Sequence, residues 1–142
     1  MLGFISASIA GNFSLYSTLC LPAFAPPAFA FPIIWTILYI LIGAATGIVI
    51  STKDKCVAVQ RSKGLLYFAV MFLLNLAWSP IFFGAELFFI AFVVICAMIA
   101  LTFFVILCYS NISFISAAIM FIYWLWLTFA AYLNLSIIFL NP

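Results

Sequence analysis

The sequence predicts an all-α integral membrane protein, arranged as a five-transmembrane-helix bundle with a proline-rich loop between helices 1 and 2. Of its 142 residues, 71% are hydrophobic and only 4% are charged. A water-soluble fold of this size could not bury so much apolar surface, because too few polar residues remain to cover it. Several stretches also reach the roughly 20 apolar residues that a helix needs to cross a bilayer core of about 30 Å.

The N-terminal part of the chain is the least regular. Residues 1–12 are apolar but make only about half a span, and they lack the cationic start and the cleavage site of a signal peptide. We interpret them as a shortened first helix. In the following segment, 13–28, Pro22, Pro26 and Pro27 favour a stiff, extended chain over a helix. That segment is either a lid over a pocket or a surface connector.

The rest of the chain is predicted to complete a single membrane domain, 1–142, with four full spans. These run approximately over 29–50, 64–84, 86–109 and 112–140. Pro32 falls in the first turn of its helix, where a missing N–H matters little, whereas Pro80 is expected to kink the third predicted helix near its outer end. Glu86 lies near the start of the fourth, where a carboxylate interacts favourably with the helix dipole.

The basic residues define the expected orientation in the membrane. All of them lie in the segment 51–63, namely Lys53, Lys55, Arg61 and Lys63. Because cytoplasmic loops are enriched in Lys and Arg, this loop is predicted to be cytoplasmic, together with the 109–112 turn. The segment 13–28 and the C-terminal end then face the opposite side. Which membrane holds the protein does not follow from the sequence.

Composition argues against several classes of function. Four Lys and Arg residues cannot form the basic patch that nucleic acid requires, and the absence of histidine removes the commonest general base and metal ligand. The four cysteines form no C-x-x-C pair, so we interpret them as small apolar residues rather than a redox site. We expect no metal and no cofactor, and the partners to be the lipid bilayer and a small hydrophobic molecule.

Aromatic and amide side chains recur on one face of three predicted helices, since positions three, four and seven apart share a face. The faces comprise Trp35, Tyr39, Ile42 and Thr46; Met71, Asn75, Trp78, Ser79 and Phe82; and Tyr123, Trp126, Ala130 and Asn134. Lipid contact alone requires no polar edges or amides at this depth. Together the faces predict a pocket for a flat, hydrophobic ligand.

Each of these residues also has a purely structural interpretation. Tyr123 or Trp124 could belong to an interfacial aromatic belt. Asn75 and Asn134 could each join neighbouring helices by a hydrogen bond, which is the more frequent use of a single membrane asparagine. Only the three faces taken jointly favour a pocket.

Three runs of the sequence resemble the translocator protein family, also called the tryptophan-rich sensory protein (TspO/MBR) or peripheral benzodiazepine receptor family. They read PAFAPPAFAFPIIWTILY from Pro22, NLAWSPIFFG from Asn75 and FAAYLNL from Phe129. The resemblance implies a five-helix protein, commonly a homodimer, that binds porphyrins, sterols and benzodiazepine-type ligands beneath its first loop. The ligand-binding residues it implies are Tyr16, Trp35, Tyr39, Asn75, Trp78, Trp126 and Ala130.

The implied function is that of a membrane receptor or carrier involved in porphyrin transport, sensing or metabolism. An alternative is a light-dependent porphyrin-degrading enzyme in which Trp35 and Trp126 would be the catalytic residues, and another is a sterol-binding or stress-linked membrane scaffold. Leu21 stands where the family has a lysine, and no cation follows Lys63, so porphyrin propionates would need water or backbone N–H groups. The C-terminal sterol pattern is incomplete for the same reason.

The resemblance also bears on the dimer. The glycine pair that joins subunits in some relatives falls here on Leu66 and Val70, so a homodimer is expected to use another surface, such as one with Ala69 and Ala77. A separate small-residue step around Gly43 and Gly47 permits close approach of another helix, within one subunit or between two.

Overall fold

The computed structural model describes residues 19–22 and 24–141, and within these ranges it is helical, with no β-strand. The helices are α1 (Ala30–Ser51), α2 (Ala58–Ser79), α3 (Phe88–Ser110) and α4 (Phe114–Leu140), and a π-helical turn, Pro80–Gly84, continues α2. All four are long and apolar enough to cross a membrane. The protein is therefore an integral, multi-pass membrane protein, as predicted. The predicted first helix, 1–12, lies outside the described residues.

The part of the proline-rich segment that the structure describes, 19–22 and 24–28, has no regular secondary structure. Two turns shape it, in which the amide of Ala25 donates to the carbonyl of Pro22 at 3.0 Å and that of Ala30 to Pro27 at 2.9 Å. Because the helix expected before it is not described, the arrangement of a loop between helices 1 and 2 stays a prediction.

The start of α2 corrects the sequence-based boundary. The helix begins at Ala58 rather than at residue 64, so the connection to α1 covers only residues 52–57. Arg61 lies in the first turns of α2 and donates from Nη1 to the carbonyl of Thr52. Hydropathy marks where a helix enters hydrocarbon, whereas the helix itself continues outward through polar residues.

The end of α2 departs from α-helical geometry at Pro80, the residue at which a kink was predicted. The amide of Ala85 donates to the carbonyl of Pro80 at 3.0 Å, which is the five-residue spacing of a π-helix. Glu86 follows with a φ of 54°, in the left-handed region that few side chains adopt. Since α3 begins only at Phe88, Glu86 precedes that helix rather than lying in its first turn, contrary to the predicted start at 86.

The packing of the four helices is uneven, and this positions the candidate site. The third helix packs along both α2 and α4, whereas α1 packs mainly on α4 and barely touches α2. We call the end of the bundle with residues 52–57 and 111–113 the lower end, and the end with residues 85–87 and 141 the upper end. Because α1 and α2 make few contacts with each other, a seam separates these two helices.

Small side chains and hydroxyl groups let the helices pack closely in the lower half of the bundle. A Cβ atom on Gly64 would lie 2.9 Å from the Cβ of Cys108, so this glycine permits the close approach of α2 to α3. The hydroxyl of Tyr109 bonds that of Thr46 at 3.2 Å, and Ser116 donates to the carbonyl of Ala45 at 2.9 Å. These contacts hold α1 against α3 and α4 below the site.

Gly43 and Gly47 play no such part among the described residues, because a Cβ on either would meet nothing within 4 Å. Both glycines lie on the exposed surface of α1. Their use in contact with a second subunit stays a prediction.

Candidate ligand-binding site

The upper half of the bundle contains a cavity of about 110 Å³ between α1, α2 and α4. Its walls include every predicted site residue except Tyr16, which lies outside the described part of the chain. Those on the walls are Trp35, Tyr39, Asn75, Trp78, Trp126 and Ala130. Part of each predicted face therefore converges on one space, whereas Ile42, Thr46, Met71 and Tyr123 are buried and do not line it.

The cavity lies at the seam between α1 and α2, where large rings and one small residue face the gap. Trp35 on α1 and Trp78 on α2 occupy the two sides of the seam, and on α4 Ala130 offers only a methyl group beside Trp126. The small side chain of the alanine leaves part of this space unfilled.

Three indole rings from three different helices form the aromatic wall. The Trp35 ring meets the edge of Trp126 with centroids 6.3 Å apart and planes at 88°, and it lies 6.5 Å from Trp78 at 34°. The ring of Trp78 in turn stacks on Phe82 at 4.9 Å. These separations fall in the range of favourable aromatic contacts. The indoles face one another around the cavity instead of facing lipid.

The floor of the cavity is a hydrogen-bonded chain that joins three helices. The Tyr39 hydroxyl donates to Asn75 Oδ1 at 2.5 Å, and Asn75 Nδ2 donates to the Tyr123 hydroxyl at 2.5 Å. Asn75 is 4% exposed and Tyr123 is 0% exposed. Tyr123 is thus a core residue and not part of an interfacial belt, and Asn75 has the helix-joining role that was the alternative to ligand contact.

Several other polar atoms near the cavity are buried without a hydrogen-bond partner in the described chain. They are the indole Nε1 atoms of Trp78 and Trp126 and both amide atoms of Asn134. All three residues border the cavity. Since buried polar groups in proteins are nearly always bonded, these atoms provide unused donors and one unused acceptor.

Some residues of the cavity wall were not predicted from the sequence. Phe31, Phe83, Leu133 and Ile137 line the space but were not singled out. Leu133 and Ile137 could have been found from their spacing, because they lie three and seven residues beyond Ala130 on the same helix. Nothing in the sequence distinguishes Phe31 or Phe83 from a phenylalanine that faces lipid.

The described lining of the cavity is mainly apolar. No charged side chain is among its described lining residues, and the described residues contain no group of three or more His, Cys, Asp or Glu that could hold a metal ion. An apolar, aromatic space with a few polar atoms is typical of sites for small hydrophobic molecules.

Comparison with known proteins agrees with these features. The model of the TspO/MBR family matches residues 1–140. The chain is 35% identical over 127 residues to the tryptophan-rich protein TspO of Chlorobaculum tepidum, which covers 89% of this chain and 79% of the relative. It is 30% identical over 129 residues to protein CrtK of Rhodobacter capsulatus, covering 89% and 78%. With the tryptophan-lined cavity and the membrane-spanning helices, these matches show that the chain belongs to the TspO/MBR family.

Proposed function

We propose that this protein is a membrane receptor or carrier that binds porphyrins and similar flat hydrophobic ligands in the cavity and takes part in their transport, sensing or metabolism. The observation that carries the proposal is the convergence of Trp35, Trp78 and Trp126 from three helices. Indole faces stack on a flat macrocycle, and apolar burial contributes about 25 cal/mol per Å². Family membership agrees with a ligand-binding membrane protein.

We expect the site to widen when a tetrapyrrole binds, because the rings of Trp35 and Trp78 approach each other across it with centroids 6.5 Å apart. The seam between α1 and α2 offers the least resistance, since these helices make few contacts with each other. Their hydrogen bond from Tyr39 to Asn75 lies at the floor, below the indoles. We therefore expect α1 to move away from α2 at its upper end when the ligand enters.

The lining also determines how the acidic edge of a porphyrin is accommodated. Leu21, where the resemblance leads one to expect a lysine, is 36% exposed, and no cation borders the described cavity. Propionate groups would then project to water instead of forming salt bridges. Affinity should consequently depend little on ionic strength, because no ion pair is available for salt to screen.

The test is a titration with protoporphyrin, followed by its absorbance, for the wild type and the variants Trp35→Ala and Trp126→Ala. We expect each variant to bind about tenfold more weakly, from the loss of stacking and burial. Trp124→Ala is the matched control, because Trp124 lies on another face of α4, stacked on Phe121 at 5.9 Å. Unchanged affinity in both Trp35→Ala and Trp126→Ala would remove the proposal.

A second candidate function is light-dependent breakdown of the bound porphyrin with dissolved oxygen as the oxidant. The edge-to-face contact of Trp35 with Trp126 favours it, since two oxidisable indoles border the space where the macrocycle would lie. Illumination in air should then produce a new absorption band, and Trp126→Phe should abolish that band while binding persists. Equal breakdown in detergent without protein would exclude this function.

We also propose that the lower end, with residues 52–57, is cytoplasmic, because the basic residues cluster there. Cys56 is exposed at this end, and Cys20 is exposed at the upper end. In intact cells, a membrane-impermeant maleimide should label a variant that retains only Cys20 and spare one that retains only Cys56. The reverse pattern would invert the orientation.

A further inference from the structure

Asn134 is a buried carboxamide whose polar atoms are both unused. Its side chain is 1% exposed, and neither Oδ1 nor Nδ2 has a hydrogen-bond partner in the described chain. Leaving such a group unpaired inside hydrocarbon is unfavourable, because no water is available to replace the missing bonds. An unsatisfied amide at this depth therefore calls for a binding partner.

The position of Asn134 suggests where that partner would lie. The residue borders the cavity on α4, one helical turn above Ala130 and two turns above Trp126. With a rise of 1.5 Å per residue, these offsets are about 6 Å and 12 Å along the helix axis. The χ2 torsion of asparagine has a broad energy minimum, so the amide plane can turn toward a ligand at little cost.

Asn75, the other buried amide of the cavity, differs from Asn134 in having hydrogen-bond partners. Asn75 also borders the cavity, but its oxygen and one of its N–H groups are already bonded to Tyr39 and Tyr123. The site thus contains one amide that joins helices at the floor and one amide that is free in the upper half. In Asn134 neither polar atom is engaged, so both its donor and its acceptor are fully available.

We propose that Asn134 is the polar anchor of the cavity and recognises the cis-amide edge of a lactam on a flat hydrophobic ligand. A lactam presents an N–H and a C=O side by side, which complement the Oδ1 and Nδ2 of a carboxamide in two parallel hydrogen bonds. A carboxylate or a ketone has only acceptors and would leave Oδ1 unpaired. The inference rests on the proposed ligand-binding function and adds a class of ligand to it.

The experiment compares two probes that differ in one donor. Phenanthridin-6(5H)-one is a flat lactam, and its N-methyl derivative lacks the N–H. Both are titrated calorimetrically into the protein in nanodiscs, with empty nanodiscs as the partition blank. For the wild type we expect the lactam to bind about tenfold tighter, since N-methylation removes one hydrogen bond and leaves Oδ1 unpaired.

Variants separate the hydrogen bond from the size of the added methyl group. In Asn134→Leu, which keeps the number and branching of the side-chain heavy atoms, the ratio of the two affinities should fall to near one. Replacing an unpaired amide by an apolar side chain should preserve the fold. Asn134→Met is a second apolar variant, for which the same affinity ratio near one is expected. The matched control is Asn111→Leu, because Asn111 lies at the lower end, where its amide bonds only the carbonyl of Leu107 at 2.7 Å. It should retain the wild-type ratio.

Several results would overturn the inference. One is a ratio of lactam affinity to N-methyl-lactam affinity below twofold in the wild type. Another is an unchanged affinity ratio in Asn134→Leu, including the case in which that variant loses affinity for both probes equally, as a purely structural role would give. Protoporphyrin provides the separate readout for the proposed function, because a porphyrin ring has no lactam edge and should bind Asn134→Leu as well as the wild type. Porphyrin binding without lactam selectivity refutes only the anchor, whereas selectivity without porphyrin binding refutes only the porphyrin proposal.

Discussion

Replacing Asn75 by leucine tests whether the floor of the cavity holds three helices together. The change removes two hydrogen bonds of 2.5 Å and leaves the Tyr123 hydroxyl, which is 0% exposed, without its donor. Interhelical hydrogen bonds in membranes contribute on average about 0.6 kcal/mol and up to about 1.7 kcal/mol each. We therefore expect a loss of about 1 to 3 kcal/mol in the free energy of unfolding.

The assay is a titration with SDS in mixed micelles, followed by circular dichroism, for a double-mutant cycle of Asn75→Leu and Tyr123→Phe. The double variant removes both partners of one bond, so it should cost less than the sum of the single changes. The expected coupling energy is about 0.6 to 1.7 kcal/mol. Tyr132→Phe is the control, because Tyr132 is 46% exposed on the same helix and should not couple to Asn75.

An additive cycle would refute this reasoning. If Asn75→Leu and Tyr123→Phe destabilise independently, within about 0.3 kcal/mol, the two side chains do not bond each other. Coupling of equal size to Tyr132→Phe would point instead to a general effect of α4 variants on the bundle. In either case the assigned bond between Asn75 and Tyr123, which joins α2 to α4, would fail.

Two further predictions concern the packing and the upper end. Gly64→Ala should destabilise the protein by about 1 to 3 kcal/mol relative to Gly47→Ala in the same SDS titration, because a Cβ atom on Gly64 would lie 2.9 Å from that of Cys108, whereas one on Gly47 would meet nothing within 4 Å. Equal stability of the two variants would contradict this. Asn141→Ala should raise the hydrogen exchange rate of the Cys20 amide about tenfold, because that amide donates to Asn141 Oδ1 at 2.9 Å. An unchanged exchange rate would show that this bond does not restrain the segment.

The four membrane-spanning helices of the described residues were predicted from the sequence, with ends within two residues of those observed except at the start of α2. Hydropathy located all four described spans, since an uninterrupted run of about 20 apolar residues is typical of a helix that crosses a bilayer. It placed the start of α2 at residue 64 because Arg61 and Lys63 are polar, although helical geometry begins at Ala58. Helix ends depend on local hydrogen bonds, such as that from Arg61 to Thr52, and hydropathy carries no information about them.

The site was predicted as a set of helix faces but not as a set of contacts. Periodicity placed Trp35, Trp78 and Trp126 on inward faces, and the structure brings them together around one cavity. The partners of Asn75 and Asn134 could not be predicted, because they depend on how far each helix is shifted along its neighbours. One amide finds two tyrosines, and the other finds no partner in the described chain.

The central claim is that a flat ligand enters the space among Trp35, Trp78 and Trp126, and the indole N–H signals in a two-dimensional NMR titration test it most directly. The protein has four tryptophans, so four indole signals are expected. On addition of protoporphyrin, the signals of these three should shift or broaden, while that of Trp124, on another face of α4, should stay in place. A response confined to Trp124, or equal in all four, would contradict binding in the cavity.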